Sequence, residues 1–339
     1  MTERSGQIAA FLAEAGWAAA TRTALAGDAS SRRYARLSQA GQSAILMDHE
    51  EGRGEGCARF VRIALWLRHQ GYSAPAVLAD GSPQGLLLLE DLGDRLLARV
   101  IAAEPGRDAT LTRLCARFLA DLGTRQPPAF LPRLEGAALG ALTEITPRWY
   151  RAGIGESAGD AGAELASLIE SAFVRLDDGA RAVSLRDFHA ENAIWLPERS
   201  GLAQLGLLDF QDATITHPAY DIVSLLQDAR RDLSPGLAEA ALAGYLRRSG
   251  QAPERFAALY ALLGAQRALR IIGVFTRLVL HAGSVQYLGY LPRVWGHLEA
   301  NLAHPALKDI AAFVRRTLPH PTPARLERIS AQCGRNPMP

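Results

Sequence analysis

Three polar residues of this chain have the types and the spacing needed to hold a metal ion beside a base: Asp187, Asn192 and Asp209. An apolar run follows Asn192, a second apolar run ends at Asp209, and a turn containing Pro, Ser and Gly separates them. Two strands joined in this way form a hairpin whose outer ends meet, so Asn192 and Asp209 should lie side by side. An amide oxygen and a carboxylate suit a hard cation such as Mg²⁺. Asp187 would then be a candidate base next to that ion.

These residues carry a resemblance to the protein-kinase-like fold. Asp187 and Asn192 match the D-x-x-x-x-N of its catalytic loop, and the D-F-Q at 209–211 resembles its D-F-G. His189, two residues after Asp187, makes this motif similar to that of the aminoglycoside phosphotransferase and small-molecule kinase branch. The resemblance implies ATP as phosphate donor, Asp187 as catalytic base, and Asn192 and Asp209 as Mg²⁺ ligands. Leu185 departs from the family pattern, which usually has a supporting His there.

The first part of the chain is expected to form the nucleotide-binding strands. Residues 21–25 and 32–37 are predicted strands, and the small residues between them include Gly27, Ser30 and Ser31. In the related kinases such a loop lies over the phosphates of the nucleotide, with its backbone N–H groups pointing at them. The resemblance therefore assigns these three residues to the nucleotide site.

The predicted third strand, residues 44–47, lacks the lysine that normally contacts the phosphates in this family, and Lys308 is the only lysine of the chain. A guanidinium from Arg32 or Arg33 could bind the phosphates bidentately instead. The alternative is that both are solvated arginines on the face of a strand. Arg33, inside the predicted strand, is the residue assigned to the nucleotide site.

A strand at 85–89 leads into Glu90-Asp91-Leu92-Gly93-Asp94, which is similar to the segment that joins the two lobes of a kinase. The resemblance implies that backbone groups of Glu90 and Leu92 pair with the adenine edge. Beyond this segment the apolar residues recur at helical spacing. We therefore predict an α+β fold of two lobes: a nucleotide-binding antiparallel sheet over 1–92, and a larger, mainly helical lobe over 93–339 that completes the catalytic and sugar sites.

Several segments together resemble the bacterial kinases that phosphorylate the anomeric hydroxyl of N-acetylmuramate and N-acetylglucosamine during cell-wall recycling: GDASSRRY, LLLLEDLGD, LLDFQDA and residues 286–293. Three alternatives remain: an aminoglycoside kinase, a kinase for another metabolite hydroxyl, and a non-catalytic nucleotide-binding module. The missing lysine and Leu185 would suit the last. The joint presence of Asp187, Asn192 and Asp209 argues against it, because a scaffold does not need all three.

Composition excludes several other classes of function. The 339 residues carry a net charge of +2, so no broad positive field would attract nucleic acid or an anionic membrane. We expect no apolar run long enough to cross a bilayer. The three cysteines lack paired metal-ligand spacing and are expected to be reduced thiols. A cytoplasmic monomer that acts on a small molecule is the expectation.

Overall fold

The structure, a computed structural model, describes residues 3–25 and 32–335. Contacts within the chain group it into two compact units. The first consists of Met1–Arg107 and Asp187–Ala213, and the second of Asp108–Arg186 and Thr214–Pro339. The hairpin predicted to carry Asn192 and Asp209 thus belongs to the same unit as the N-terminal strands. The predicted boundary between two lobes, after Leu92, stays a prediction.

The first unit is built on an antiparallel sheet of five strands in the order β1-β2-β3-β5-β4. Its strands are β1 (Thr21–Ala24), β2 (Arg33–Gln39), β3 (Gln42–Asp48), β4 (Val77–Gly81) and β5 (Leu86–Glu90). Its helices are α1 (Glu3–Glu14), α2 (Glu55–His69) and α3 (Leu97–Ala103), and its second sheet pairs β7 (Ala193–Trp195) with β8 (Leu205–Leu207). The α+β prediction is confirmed.

One face of the five-stranded sheet is covered by α1. Its buried residues Ile8, Phe11 and Leu12 recur at the spacing of one helical face. They pack on sheet residues that alternate along their strands, namely Leu37, Ala44, Leu46, Leu86 and Leu88. Each large apolar side chain buried in this way contributes about 1.5–3 kcal/mol relative to exposure. The alternating residues of β2 and β3, among them Tyr34 and Met47, therefore belong to the opposite face.

Helix α2 links the five-stranded sheet to the β7–β8 hairpin within the first unit. Its buried residues follow one helical face: Cys57, Phe60, Ile63, Ala64 and Leu67. The ring of Phe60 lies 4.8 Å from that of Phe210, measured between centroids. The guanidinium of Arg59 donates to the carbonyl oxygen of Ala213 at 2.9 Å. The segment after Asp209 is therefore fixed by both an aromatic contact and a hydrogen bond.

The second unit is mainly helical. Its helices are α4 (Asp108–Leu122), α5 (Gly136–Ala141), α6 (Ala161–Leu176), α7 (Ala219–Leu226), α8 (Leu237–Ser249), α9 (Pro253–Leu280), α10 (Leu291–Leu302), α11 (Lys308–Thr317) and α12 (Pro323–Ser330). Two short strands, β6 (Ala182–Ser184) and β9 (Thr214–Thr216), pair antiparallel at the points where the chain leaves and re-enters this unit.

Helix α9 is the central element of the second unit and packs against α6, α7, α10 and α12. By length and composition alone it could cross a membrane, contrary to the expectation that no apolar run is long enough. However, 72% of its most apolar window is buried inside the structure. Its apolar residues are therefore accounted for by the core of this unit, as in the central helix of many helical proteins.

Apolar residues at helical spacing predict one helix over 138–150, but the structure shows that this helix is interrupted. Helix α5 ends at Ala141, and a wider π-helical turn begins at Pro147 (Pro147–Arg151). The β-branched residues and Pro147 that fill the gap disfavour a continuous helix. Trp149 and Tyr150 on that turn are both buried, and the hydroxyl of Tyr150 donates to the carbonyl oxygen of Pro319 at 2.7 Å. Both aromatic residues are core residues.

The close approach of α9 to residues 145–146 gives a stability prediction. A Cβ added at Gly273 would lie 2.7 Å from the backbone of Ile145 and Thr146, whereas one added at Gly296 of α10 would meet nothing within 4 Å. We expect Gly273→Ala to lower the free energy of unfolding by about 1–3 kcal/mol through overpacking. Gly296→Ala should raise it by about 1 kcal/mol through helix propensity. Urea denaturation of both variants provides the measurement, and equal effects would contradict this packing account.

Candidate active site

The β7–β8 hairpin brings Asn192 and Asp209 together as predicted. Ala193 pairs with Leu207, and the amide N–H of Leu208 donates to the carbonyl oxygen of Asn192 at 3.0 Å. The side chains of Asn192 and Asp209 meet with Nδ2 and Oδ2 3.4 Å apart. Their proximity is confirmed, and their role as metal ligands stays a prediction.

A tight turn joins Asp187 to the same hairpin. The side-chain amide of Asn192 donates to the carbonyl oxygen of Asp187 at 2.8 Å. The backbone N–H of Asn192 donates to the carbonyl oxygen of His189 at 2.9 Å. Asn192 therefore links the turn that carries Asp187 to the strand end that carries Asp209. The negative charge of Asp187 also raises the pKa of Asp209, as expected for two nearby carboxylates.

Asp209 adopts a left-handed backbone conformation, with φ of 53°. For a residue with a side chain this conformation costs about 1–2 kcal/mol and persists only where its surroundings enforce it. Gln211, which is buried, donates from Nε2 to Oδ1 of Asp209 at 2.8 Å. The contact of Gln211 was not predicted, because only the structure shows that the backbone of Asp209 is left-handed.

The pKa of Asp209 is raised above that of an ordinary aspartate. Although its side chain is exposed, desolvation by the surrounding protein is the largest cause, and the charges of Asp187 and Asp212 act in the same direction. The hydrogen bond from Gln211 and the positive charge of Arg32 oppose the rise. Asp209 therefore lies near two other acidic groups, Asp187 and Asp212, whose negative charges repel its own.

Arg32 and Arg33 have different surroundings. Arg33 is exposed at the start of β2. The charge of Arg32 lowers the pKa of Asp209, and it also opposes the rise in the pKa of Tyr34, which burial raises to about 12. Of the two arginines weighed for the phosphate contact, Arg32 is thus the one placed near the acidic groups. The assignment of Arg33 stays a prediction, and Gly27, Ser30 and Ser31 lie outside the described residues.

Arg36 binds the segment that follows β5, residues 91–94, a role that was not predicted from the sequence. It lies two residues after Tyr34 on the same face of β2, and its guanidinium contacts the carboxylates of Asp91 and Asp94, each at 2.7 Å. The hydrogen bond from Arg36 is the main cause that lowers the pKa of Asp94. The predicted hinge segment is therefore held to the second strand by an ion-pair network.

Glu90 and Leu92, the predicted adenine contacts, lie at the end of β5 and just beyond it. The backbone N–H of Glu90 donates to the carbonyl oxygen of Ala76 at 2.8 Å, so it cannot also donate to a base. Its side chain accepts from Arg199 at 2.6 Å. Leu92 is buried against residues of the hairpin, chiefly Ile194 and Leu196. The carbonyl of Glu90 and the backbone of Leu92 stay the predicted contacts.

Glu55 is the acidic residue at the first position of α2. Its side chain is exposed and pairs with Arg62 of the same helix. It is thus part of the helix surface, where an acidic residue in the first turn stabilises the helix dipole.

The donor set fits a hard divalent cation. Asn192 and Asp209 supply one amide and one carboxylate, and Mg²⁺ commonly binds few protein ligands because it keeps several waters. A cation beside Asp209 would favour its ionised form against desolvation and against the smaller repulsion from Asp187 and Asp212. Across residues 3–25 and 32–335, no group of three or more His, Cys, Asp or Glu side chains is placed to hold a metal ion.

In the second unit, Asp221 stabilises the segment that leads to Asp187. The buried carboxylate of Asp221 accepts hydrogen bonds from the hydroxyl of Ser184 at 2.6 Å and from the backbone N–H groups of Leu185 at 2.6 Å and Arg186 at 3.1 Å. Asp221 therefore supports the loop that precedes Asp187. Burial is the largest cause that raises its pKa, to about 6.

Comparison with known proteins gives a consistent result. The sequence pattern of the phosphotransferase enzyme family matches residues 21–259. A relative from Caulobacter vibrioides, named N-acetylmuramate/N-acetylglucosamine kinase, is 36% identical over 94% of this chain and 98% of its own. A relative of the same name from Pseudomonas aeruginosa is 30% identical over 90% of this chain and 91% of its own.

The fold also matches a solved structure. A choline/ethanolamine kinase family protein from Mesorhizobium loti superposes with a TM-score of 0.59, over 92% of this chain and 99% of its own, at 18% identity. At that level of identity the match bears on the fold alone. The resemblance read from the motifs, to the protein-kinase-like and aminoglycoside phosphotransferase group, is thereby confirmed.

The raised pKa of Asp221 predicts a pH dependence of stability. The folded state keeps a proton on Asp221 up to pH about 6, whereas the unfolded chain releases it near 3.8. Because the folded state binds more protons within this window, its stability should fall as the pH rises from about 4 to 6, by at most about 3 kcal/mol.

The Asp221→Asn variant cannot titrate at this position, so this component of the pH dependence should disappear from it. Urea denaturation of wild type and variant at several pH values between 4 and 7 measures the difference. Equal pH slopes in the two proteins would show that Asp221 is not the responsible group.

Proposed function

Because the chain belongs to the phosphotransferase enzyme family, we propose that it is an ATP- and Mg²⁺-dependent sugar kinase. It would transfer the γ-phosphate of ATP to the anomeric hydroxyl of N-acetylmuramate or N-acetylglucosamine. The observation that carries the proposal is the convergence of Asp187, Asn192 and Asp209 on one turn and one hairpin end. The shared name of the two relatives supports the choice of sugar. We place the reaction in the cytoplasm.

Asp187 would act on the acceptor. Its carboxylate would accept a hydrogen bond from the attacking hydroxyl and orient it in line with the γ-phosphate. An anomeric hydroxyl is more acidic than other sugar hydroxyls, because the ring oxygen stabilises the oxyanion, which lowers the demand on the base. The hydrogen bond from Asn192 to the carbonyl of Asp187 limits the movement of this turn. Positioning of this kind supplies a large part of the rate in such reactions.

Asn192 and Asp209 would hold the Mg²⁺ ion, which when bound supplies positive charge to the phosphate oxygens. Gln211 keeps the Asp209 carboxylate in one orientation through its 2.8 Å hydrogen bond. That bond also counteracts the rise in the pKa of Asp209, which favours the ionised form that a metal requires. The proximity of the two side chains and the hydrogen bond from Gln211 support this assignment.

Arg32 is our candidate for the phosphate contact that a lysine makes in other kinases. Its charge acts on Asp209, and the chain has no lysine in the first unit. Arg33, the residue that the sequence analysis assigned to the nucleotide site, is exposed at the start of β2. The backbone of Gly27, Ser30 and Ser31 remains assigned to the phosphates, and that of Glu90 and Leu92 to the adenine.

The acceptor can be tested with a panel of three compounds: N-acetylmuramate, N-acetylglucosamine and an aminoglycoside. We expect MgATP-dependent ADP release with the two amino sugars, at least about 10²-fold faster than with the aminoglycoside, because binding that positions one acceptor does not position another. A product phosphate that is released by mild acid, with a ³¹P–¹H coupling to the anomeric proton, identifies the position. Turnover with the aminoglycoside alone would refute the sugar assignment.

Nucleotide binding is measured in parallel by thermal shift with MgATP. Stabilisation by MgATP without turnover of any acceptor in a wider panel of metabolite alcohols would favour the non-catalytic binding module instead. Turnover of a different alcohol would leave the family assignment intact but contradict the proposed substrate.

The role of Asp187 predicts the behaviour of Asp187→Asn. The amide keeps the shape of the side chain but cannot act as a base, so kcat should fall by about 10²–10⁴-fold while the affinity for MgATP changes little. Steady-state kinetics and thermal shift give the two quantities. The matched control is Glu191→Gln, which removes an exposed carboxylate from the same turn and should leave kcat within about two-fold. Comparable losses in both variants would show that general charge, and not Asp187, matters.

A further inference from the structure

Arg186, the residue before Asp187, has a left-handed backbone conformation with φ of 70°. An arginine in this conformation costs about 1–2 kcal/mol relative to the usual regions, so other contacts must enforce it. A change in the φ or ψ angle of Arg186 would alter the direction in which the chain continues to Asp187. The contacts that fix these two angles are therefore of interest for the reaction.

The N–H side of Arg186 is fixed by acidic and hydroxyl groups. Its backbone N–H donates to Oδ1 of Asp221 at 3.1 Å and to the hydroxyl of Ser184 at 3.0 Å. These bonds hold the peptide between Leu185 and Arg186, which restricts φ of Arg186. They leave the following peptide, whose orientation is set by ψ, without a restraint from Asp221.

The carbonyl side of Arg186 is fixed by Arg267. This arginine projects from the middle of α9, is only 6% exposed, and donates from Nη1 to the carbonyl oxygen of Arg186 at 2.6 Å. Its guanidinium lies 5.0 Å from the centroid of the buried ring of Tyr220. A planar cation stacked on an aromatic ring loses little freedom on forming its hydrogen bond.

Two groups of opposite charge therefore act on the two peptides that flank Arg186. Asp221, on α7, accepts from the N–H of Arg186, and Arg267, on α9, donates to its carbonyl oxygen. Each group also compensates the buried charge of the other, because the charge of Arg267 lowers the pKa of Asp221. Neither group alone would determine both angles.

We propose that Arg267 is a positioning residue for phosphoryl transfer: by holding the carbonyl oxygen of the Arg186–Asp187 peptide, it sets the direction in which Asp187 leaves the loop. Arg267 itself touches neither substrate nor nucleotide in this account. The catalytic consequence rests on the proposed function, since Asp187 is the base there. The restraint on the peptide does not rest on it.

The test compares Arg267→Met and Arg267→Lys with a matched control, Arg231→Met. Arg231 is another largely buried arginine of the second unit, which donates to Asp108 at 2.8 Å and has a side chain 16% exposed. Both methionine variants remove a largely buried guanidinium together with the hydrogen bond that it donates, so both should lower the melting temperature. Only the Arg267 variants act on the peptide before Asp187.

For Arg267→Met we expect kcat to fall by about 10²-fold, with the KM for ATP within about two-fold of wild type, because a small misplacement of the base has an effect of this size. The lysine variant keeps one donor and should regain part of the loss. Arg231→Met should keep the kcat of wild type per folded molecule. Equal kcat losses in the two methionine variants, or no rescue by lysine, would show a merely structural role and overturn the proposal.

Hydrogen exchange gives a second reading that does not depend on activity. The amides of Leu185 and Arg186 should exchange faster in Arg267→Met and Arg267→Lys than in Arg231→Met at equal global stability. If wild type phosphorylates no sugar, the proposed function fails while this exchange comparison still decides whether Arg267 restrains the loop. Unchanged protection of both amides would overturn the proposal even if activity fell. If Arg267→Met fails to fold, kcat and hydrogen exchange are both measured on Arg267→Lys instead.

Discussion

The candidate site depends on the pairing of β7 with β8, two strands of three residues each. In this hairpin Ala193 pairs with Leu207, Ile194 with Gly206, and Trp195 with Leu205. This register places Asn192 opposite the end of β8, and a slip of one residue would turn the side chains of one strand to the other face. Gly206 contributes to the fit, because a Cβ there would lie 3.1 Å from Leu92 and 3.2 Å from Ile194. The hydrogen bonds of Asn192 and the position of Asp209 both depend on this pairing.

The charges of the site follow from the same geometry. Desolvation of Asp209, together with the nearby charges of Asp187 and Asp212, costs free energy, which shows as the raised pKa of Asp209. Arg32 and Gln211 offset part of this cost. Under the proposed function, the cation of a bound metal–nucleotide complex would relieve the repulsion between the carboxylates, and its phosphates would contact the arginine. Nucleotide and metal are therefore expected to bind more strongly together than separately.

Much of the fold and of the candidate site could be predicted because its signals are local in sequence. The hairpin, the tight turn after Asp187 and the sheet of the first unit all follow from alternation, turn residues and short spacing. The broken helix before Pro147 was predicted too long because its apolar period continues through residues that do not favour helix. Strand β9, only three residues long, gives no detectable pattern.

The interactions that were missed join residues far apart in the chain. Arg36 contacts Asp91 and Asp94 more than fifty residues away, and Arg267 reaches Arg186 across eighty-one. Nothing local in the sequence pairs them. The choice between Arg32 and Arg33 is similar, because neighbouring residues at a strand end face opposite ways and only the sheet register decides which faces the acidic groups.

The absence of lysine from the first unit has a practical chemical consequence. Met47, on the third strand, is fully buried, and the one lysine of the chain, Lys308, is exposed at the start of α11 in the second unit. Acylating probes that label kinases through an amine in the nucleotide site would find no side-chain amine in the first unit, since a guanidinium stays protonated and is a poor nucleophile. Surveys that detect kinases by such labelling would pass over this enzyme, while Lys308 offers a single side-chain attachment point for a dye or a solid support.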